Sequence, residues 1–168
     1  LFDNRTNGFN QNATYCIMLI RNNTSYSNGT YGWFLFNMGT AANQVQNNIS
    51  YDNTSGNGTW NAESTLSNNT FLANGANNGS YSVSSADFVS IDSTGVSGSR
   101  TGNEKPDLTF LHLAVGSDLI DTGVDVGIDY NGAAPDLGAY ESNYSTPSGA
   151  AFKKSGGKFM RLGSQFIK

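Results

Sequence analysis

An Asn-Asn pair followed by a short strand-like stretch occurs three times in this chain of 168 residues. The copies read NNTSY from residue 22, NNISY from residue 47 and NNTFL from residue 68, so the steps are 25 and 21 residues. Glycine-containing turn sequences follow each copy, at positions where a left-handed backbone is needed. A period near 22 residues, with short strands and without regularly spaced leucines, is typical of a parallel β-helix with one coil per repeat.

Composition excludes the main alternatives to an all-β fold. Asparagine contributes 22 residues, 19 of them before residue 79, and glycine contributes 20, which argues against a helix bundle. The 2 Trp, 8 Tyr and 10 Phe are too many aromatics for a disordered chain. No stretch approaches the roughly 18 consecutive apolar residues of a membrane span. We therefore expect a folded solenoid with no membrane span.

The second asparagine of each copy is predicted to form a ladder. Stacked coils would align Asn23, Asn48 and Asn69 at the same turn. Each side-chain amide could then bond its neighbour and satisfy backbone groups that an inward-facing turn would otherwise leave without partners. These three residues are thus predicted to be structural.

Charge is unevenly distributed along the chain. Residues 1–150 hold 4 basic and 13 acidic side chains, whereas residues 151–168 hold 5 basic side chains and no acidic one. Binding of nucleic acid needs a basic face, so an acidic body of this kind indicates no nucleic-acid partner. From residue 142 the composition changes to Ser, Gly and Pro and then to Lys, which predicts a flexible linker and basic tail over 142–168.

Several strings along the first 141 residues resemble the later coils of polysaccharide lyase family 9. They are FDN from residue 2, GFNQN from 8, NNTSYSNG from 22, ADFVSID from 86, FLHLAVGSDLIDTG from 110 and YNGAAPDLGAYE from 130. The members of this family are secreted pectate lyases. The resemblance implies a right-handed parallel β-helix over residues 1–141, with about four Asn-rich coils to about residue 86 and a C-terminal capping segment over 87–141.

The resemblance also implies a reaction, which is calcium-dependent β-elimination of galacturonan with a lysine as base. The residues for it are not found here. The first lysine is Lys105, beyond the repeats, and the coils contain only Asp3 and Asp52 as aspartates. Where the family has its calcium-binding coil, the most similar stretch of this chain reads TNGFN from residue 6.

We therefore expect the C-terminal part of a secreted or cell-surface pectate-lyase-like protein, with no catalytic residue and no cofactor in this chain. Calcium and an acidic plant polysaccharide, pectate, would belong to the parent enzyme, and upstream β-helix coils of the same polypeptide would be the structural partner. The alternative is a non-catalytic saccharide-binding, adhesin or tail-spike β-helix. Whether the protein is an enzyme is left open by the sequence.

Three aspartates are weak candidates for a structural calcium site. Asp121, Asp125 and Asp136 lie in Gly-rich sequence, and calcium prefers oxygen ligands in such loops. The spacing of an EF-hand is missing, however. The other interpretation is that these carboxylates accept hydrogen bonds from backbone amides in turns.

Two tryptophans and one arginine are the remaining candidates for a site. Trp33 and Trp60 could offer aromatic faces to a saccharide or could pack inside the protein. Arg21 follows an apolar strand and is the one residue of the coils that could be considered as a base. Its guanidinium is almost never neutral, so a solvated or ion-paired position at the strand end is the more ordinary interpretation.

Overall fold

The computed structural model describes residues 1–11, 17–35, 44–60, 65–71, 81–97, 109–144, 152–155 and 158–161. Eight short strands lie in the described part of the first 71 residues. They are β1 (Phe9–Asn10), β2 (Leu19–Arg21), β3 (Thr24–Tyr26), β4 (Tyr31–Leu35), β5 (Gln44–Gln46), β6 (Ile49–Tyr51), β7 (Gly56–Trp60) and β8 (Thr65–Ser67).

These strands form three sheets, ordered β1-β4-β7, β2-β5-β8 and β3-β6, and every pair within them is parallel. Each strand therefore pairs with the equivalent strand of the next coil. In β3 and β6, Thr24 lies opposite Ile49 and Tyr26 lies opposite Tyr51. The paired residues are thus 25 positions apart, which is the step between the first two copies of the sequence repeat. Strands from four successive coils are present. The predicted parallel β-helix is confirmed.

The corners of the coils explain why asparagine begins each repeat. Asn22, Asn47 and Asn68 have φ of 51°, 57° and 52° and lie in the left-handed region, which Asn tolerates better than most residues. A second corner has the same conformation at Asp3, Ser27 and Asp52. Because the residue type varies there, this corner carries a weaker sequence signal.

The inside of the coils has an apolar part and a polar part. Trp33, Leu35, Val45 and Phe71 are buried, and the Trp33 ring lies 6.1 Å from that of Phe71. In the polar part, Ser25 Oγ donates to the carbonyl of Gly32 at 3.0 Å, and Ser50 makes the equivalent bond one coil later. A Cβ on Gly32 would collide with Ser50 Oγ, so glycine is required where the chain passes this serine.

Residues 81–97 and 109–144 form a less regular covering segment that packs along the outer face of sheet β3-β6. It includes a 3₁₀ helix (Ser85–Asp87) and a single-turn helix, α1 (Thr94–Ser97). Phe110 packs edge-to-face on Phe2, with ring centroids 4.8 Å apart, and Phe88 stacks on Tyr51 at 5.7 Å. The sequence led us to expect a cap at the end of the solenoid, whereas this segment lies along its side.

The segment is also held by hydrogen bonds to three successive coil corners. Asn22 Nδ2 donates to the Asp136 carbonyl at 3.4 Å, Val124 N donates to Asn47 Oδ1 at 2.8 Å, and Asn68 Nδ2 donates to the Thr122 carbonyl at 2.7 Å. Residues 72–80 lie outside the described residues. The predicted boundary near residue 86 therefore stays a prediction.

The C-terminal tail contains two more strands, β9 (Phe152–Ser155) and β10 (Lys158–Arg161), which pair antiparallel. We expected no fold of its own in this region. None of the described helices is long and apolar enough to cross a membrane.

Candidate functional site: the coil corners and the outer row

The predicted asparagine row runs along the corner between β2 and β3 and its equivalents. Asn23 Nδ2 donates to Asn48 Oδ1 at 3.2 Å, and Asn48 Nδ2 donates to Asn69 Oδ1 at 2.9 Å. The same oxygens accept from the backbone N–H groups of Asn23 and Asn48, at 3.0 and 2.9 Å. Asn48 and Asn69 are fully buried. All these amides are engaged within the protein, so the row supports the fold and offers no site for a ligand.

A second row, which the sequence reasoning missed, follows the other corner. Asn4 Nδ2 donates to Asn28 Oδ1 at 2.8 Å, and Asn28 Nδ2 donates to Asn53 Oδ1 at 2.7 Å. These residues are 24 and 25 positions apart. The signal was present as an asparagine at coil spacing, but it lies outside the Asn-Asn motif that defined the repeat.

One sheet face carries an ordered set of polar side chains. In sheet β2-β5-β8, Ile20 and Val45 point into the core, so their neighbours along the strands point outward. The outward residues include Arg21, Gln44, Gln46 and Ser67, which we call the outer row. All four are half-buried.

The outer row is a connected hydrogen-bond network. Arg21 Nε donates to Gln46 Oε1 at 3.0 Å, and Arg21 Nη2 donates to Gln44 Oε1. Gln46 Nε2 then donates to Ser67 Oγ at 3.1 Å. The two amides hold the guanidinium in a fixed position against the sheet.

The electrostatics of the outer row are set by Arg21. In the described part of the chain, the side-chain contacts of its guanidinium are with neutral amide oxygens. Among the described residues, no carboxylate contacts this oriented positive charge, and these bonds occupy two of its five N–H groups. A planar guanidinium with unused donors suits a carboxylate ligand. Arg21 ends β2 as expected, but its guanidinium is half-buried and held by amide oxygens, where a solvated or ion-paired position was expected.

Trp33 and Trp60 are the two candidates for saccharide contact. Trp33 is 1% exposed and packs between the rings of Phe9 and Phe71. Because the ring is enclosed by the core, it presents no face to a ligand, and the packing interpretation applies. Trp60 ends β7, and its side chain lies outside the described residues.

The three candidate calcium residues have their oxygens directed at backbone amides. Asp121 Oδ1 accepts from Ala133 N at 2.9 Å, and Asp125 Oδ1 accepts from Gly127 N at 2.8 Å. Asp136 uses both oxygens in this way. Among the described residues, no group of three or more His, Cys, Asp or Glu side chains could hold a metal ion. These aspartates do not fit a calcium site.

Comparison with known proteins finds similar chains among pectate lyases. No protein-family model matches the sequence. Pectate lyase L of Dickeya dadantii is 34% identical over 145 residues, which cover 84% of this chain and 32% of that protein. Pectate lyase L of Dickeya chrysanthemi has the same identity and coverage. The crystal structure of pectate lyase Pel9A superposes with a TM-score of 0.66 at 32% identity, over 84% of this chain and 34% of that one.

This chain is pectate-lyase-like. The resemblance seen in the sequence is confirmed by relatives that match in both sequence and coil geometry. The pectate-lyase-like chain spans about a third of the length of the relatives it matches.

Proposed function

We propose that this chain is a non-catalytic β-helix segment of a polysaccharide-degrading, pectate-lyase-like protein. Its outer row would contribute to the groove that holds an acidic polysaccharide. The observation that carries the proposal is the orientation of Arg21 by two neutral amides on the outward face of a parallel coil sheet.

The type of ligand follows from the chemistry of the outer row. An oriented guanidinium favours a carboxylate, and the amide and hydroxyl groups of Gln44, Gln46 and Ser67 can bond sugar hydroxyls. Successive coils repeat such groups at the spacing of neighbouring strands, roughly 4.8 Å. A linear polyuronate presents a carboxylate and hydroxyls on each sugar ring, and the outer row offers one cation and several neutral polar groups to them. Pectate is therefore the proposed ligand.

Catalysis is assigned to other coils of the longer protein. The repeats of this chain lack lysine altogether, and the three candidate aspartates do not fit calcium. We propose that calcium and the base are held by upstream coils of the same polypeptide. Strand β2 supports this partner, because β5 is its one partner among the described strands and its other edge can accept a strand. A plant polymer as substrate implies a secreted or cell-surface protein.

The test is titration of the chain with tetragalacturonate by calorimetry. Arg21→Ala should weaken binding by about tenfold, since a hydrogen bond to a charged group contributes about 1.5–3 kcal/mol. Arg5→Ala is the matched control, because it removes the same charge at an exposed position away from the outer row. It should leave binding within about twofold at physiological salt.

Two results would overturn the proposal. Equal weakening by Arg21→Ala and Arg5→Ala would mean that binding depends on general charge attraction. Absence of binding would show that the outer row is not part of a polysaccharide groove.

A separate assay addresses catalysis. The chain with calcium and polygalacturonate should yield no unsaturated product by ultraviolet absorbance, and product formation would contradict the non-catalytic assignment.

A further inference from the structure

The covering segment contains a pocket that is separate from the outer row. It has a volume of about 220 Å³ and is lined by residues 112–113 and 140–144. Pockets for drug-sized ligands run from roughly 300 to 1,000 Å³, so this one can hold a single ring and little more.

Three of the seven residues that line it, His112, Tyr140 and Tyr144, have aromatic side chains. The imidazole of His112 and the ring of Tyr140 are stacked, with centroids 4.0 Å apart and planes 18° apart. Tyr140 remains 45% exposed and Tyr144 39% exposed. A stacked pair that stays open to solvent provides a preformed apolar surface, and such surfaces pack against ring-shaped ligands.

The polar part of the pocket is held rigidly. Ser142 N donates to Asp136 Oδ2 at 2.6 Å, and the Ser142 carbonyl accepts from Asn131 Nδ2 at 3.1 Å. In contrast, Ser142 Oγ is buried and has no hydrogen-bond partner among the described residues. Buried hydroxyls are usually satisfied, so this unpaired hydroxyl on a residue that lines the pocket is available to a polar ligand group once its side chain rotates.

Charge restricts what this ligand can be. The pocket wall includes the Glu141 carboxylate and contains no Lys or Arg. Both Glu141 oxygens accept from backbone amides, Oε1 from Asn131 N at 3.0 Å and Oε2 from Asp136 N at 3.1 Å. An anionic ligand would be repelled by this fixed carboxylate, whereas a neutral one would not.

We propose that this pocket binds one neutral pyranose ring, with the apolar face of the sugar on the Tyr140 side and its hydroxyls on Ser142 and Asn143. A pyranose combines a C–H face with hydroxyls at its edge, which matches an aromatic wall beside polar groups. The pocket would thus select a neutral sugar, in contrast to the acidic polymer proposed for the outer row. The inference does not depend on the outer row.

The test is ligand-observed saturation-transfer NMR on the 168-residue chain at neutral pH. The probes are methyl galactoside and galacturonic acid, two sugars with the same ring, of which only the second is charged. Transfer to methyl galactoside should be at least about fivefold stronger than transfer to galacturonic acid, as expected when charge repulsion costs about 1 kcal/mol.

Variants locate the site. Tyr140→Ala should reduce transfer to methyl galactoside at least about fivefold, whereas Tyr140→Phe, which keeps the ring, should retain it. Tyr130→Ala is the matched control, because Tyr130 lies in the same segment but does not line the pocket. The proposal is overturned if neither sugar gives transfer, if both give equal transfer, or if Tyr140→Ala and Tyr130→Ala have equal effects. The titration with tetragalacturonate tests the outer row through Arg21, and its result does not depend on the result for this pocket.

Discussion

The coils and the covering segment satisfy their buried backbone groups in different ways. In the coils, neutral asparagine amides do so, repeated at steps of 25 and 21 residues so that each amide supports its neighbour. In the covering segment, carboxylates do so, each with its own set of amides and without repetition. Stability is thus shared along a row in one region and concentrated at single residues in the other.

The carboxylates are effective because each serves several donors. Asp136 is 1% exposed, and it accepts from Asp121 N at 2.9 Å and from Ser142 N at 2.6 Å. Asp87 accepts from Ser84 N and from Ser117 Oγ, both at 2.8 Å. Hydrogen bonds to a charged acceptor are roughly twice as strong as neutral ones, and they offset the cost of burying the charge.

The largest effect is expected at the middle of the asparagine row. Asn48→Ala should lower the free energy of unfolding by about 3 kcal/mol or more, because it removes the acceptor of Asn23 N and leaves a cavity in a fully buried site. Urea unfolding of the chain measures this change. Asn10→Ala, at an exposed coil position, should stay within about 0.5 kcal/mol.

Hydrogen exchange would sharpen the comparison. If stability is shared along the row, Asn48→Ala should speed exchange at the amides of both neighbouring coils, including Asn23 and Asn69. Faster exchange confined to the substituted corner would contradict the shared behaviour that we assign to the coils.

A smaller and more local loss is expected at Asp136. Asp136→Asn keeps one acceptor but turns an NH₂ group towards a backbone N–H, which should cost about 2 kcal/mol. Asp118→Asn, an exposed position in the same segment, is the control for loss of charge. Exchange should quicken in residues 119–142 and stay unchanged in β2 and β5. Equal loosening of the coils would show that the two regions form one cooperative unit.

The same contrast explains what could be predicted from the sequence. A corner that recurs every coil produces a visible motif, so the row at Asn23, Asn48 and Asn69 could be located from the amino-acid sequence alone. The row at Asn4, Asn28 and Asn53 has the same spacing, but its preceding residues are Asp, Ser and Asp, which hid the repeat.

Contacts that occur once leave no such pattern. The pairing of Asp136 with amides 15 and 6 residues away depends on how the covering segment folds onto sheet β3-β6. The position of this segment along the side of the coils has the same origin, since it depends on packing partners such as Phe2 and Phe110 that are far apart in sequence. The outer row was also hidden, because it joins Arg21 to glutamines of the next coil that carry no motif.

The smallest effect is a pH dependence that comes from Glu141 in the covering segment. Burial raises the pKa of Glu141 above its ordinary value, and the nearby Asp136 carboxylate adds to this, while the amides of Asp136 and Asn131 oppose it. As pH rises from the ordinary to the raised pKa, the unfolded state loses its proton first. The free energy of unfolding therefore falls as pH rises through this window. Below the window Glu141 makes no contribution to it, and above the window the full destabilisation by Glu141 remains.

Comparison with Glu141→Gln isolates this contribution, because the other carboxylates are common to both proteins and cancel in the difference. The free energy of unfolding of the unaltered chain, minus that of Glu141→Gln, should fall as pH rises through the window, by at most about 1.4 kcal/mol per pH unit for one proton. Urea unfolding at several pH values measures it. A difference that rises with pH would mean that the amides outweigh burial, and Glu141 would then stabilise the segment as Asp136 does.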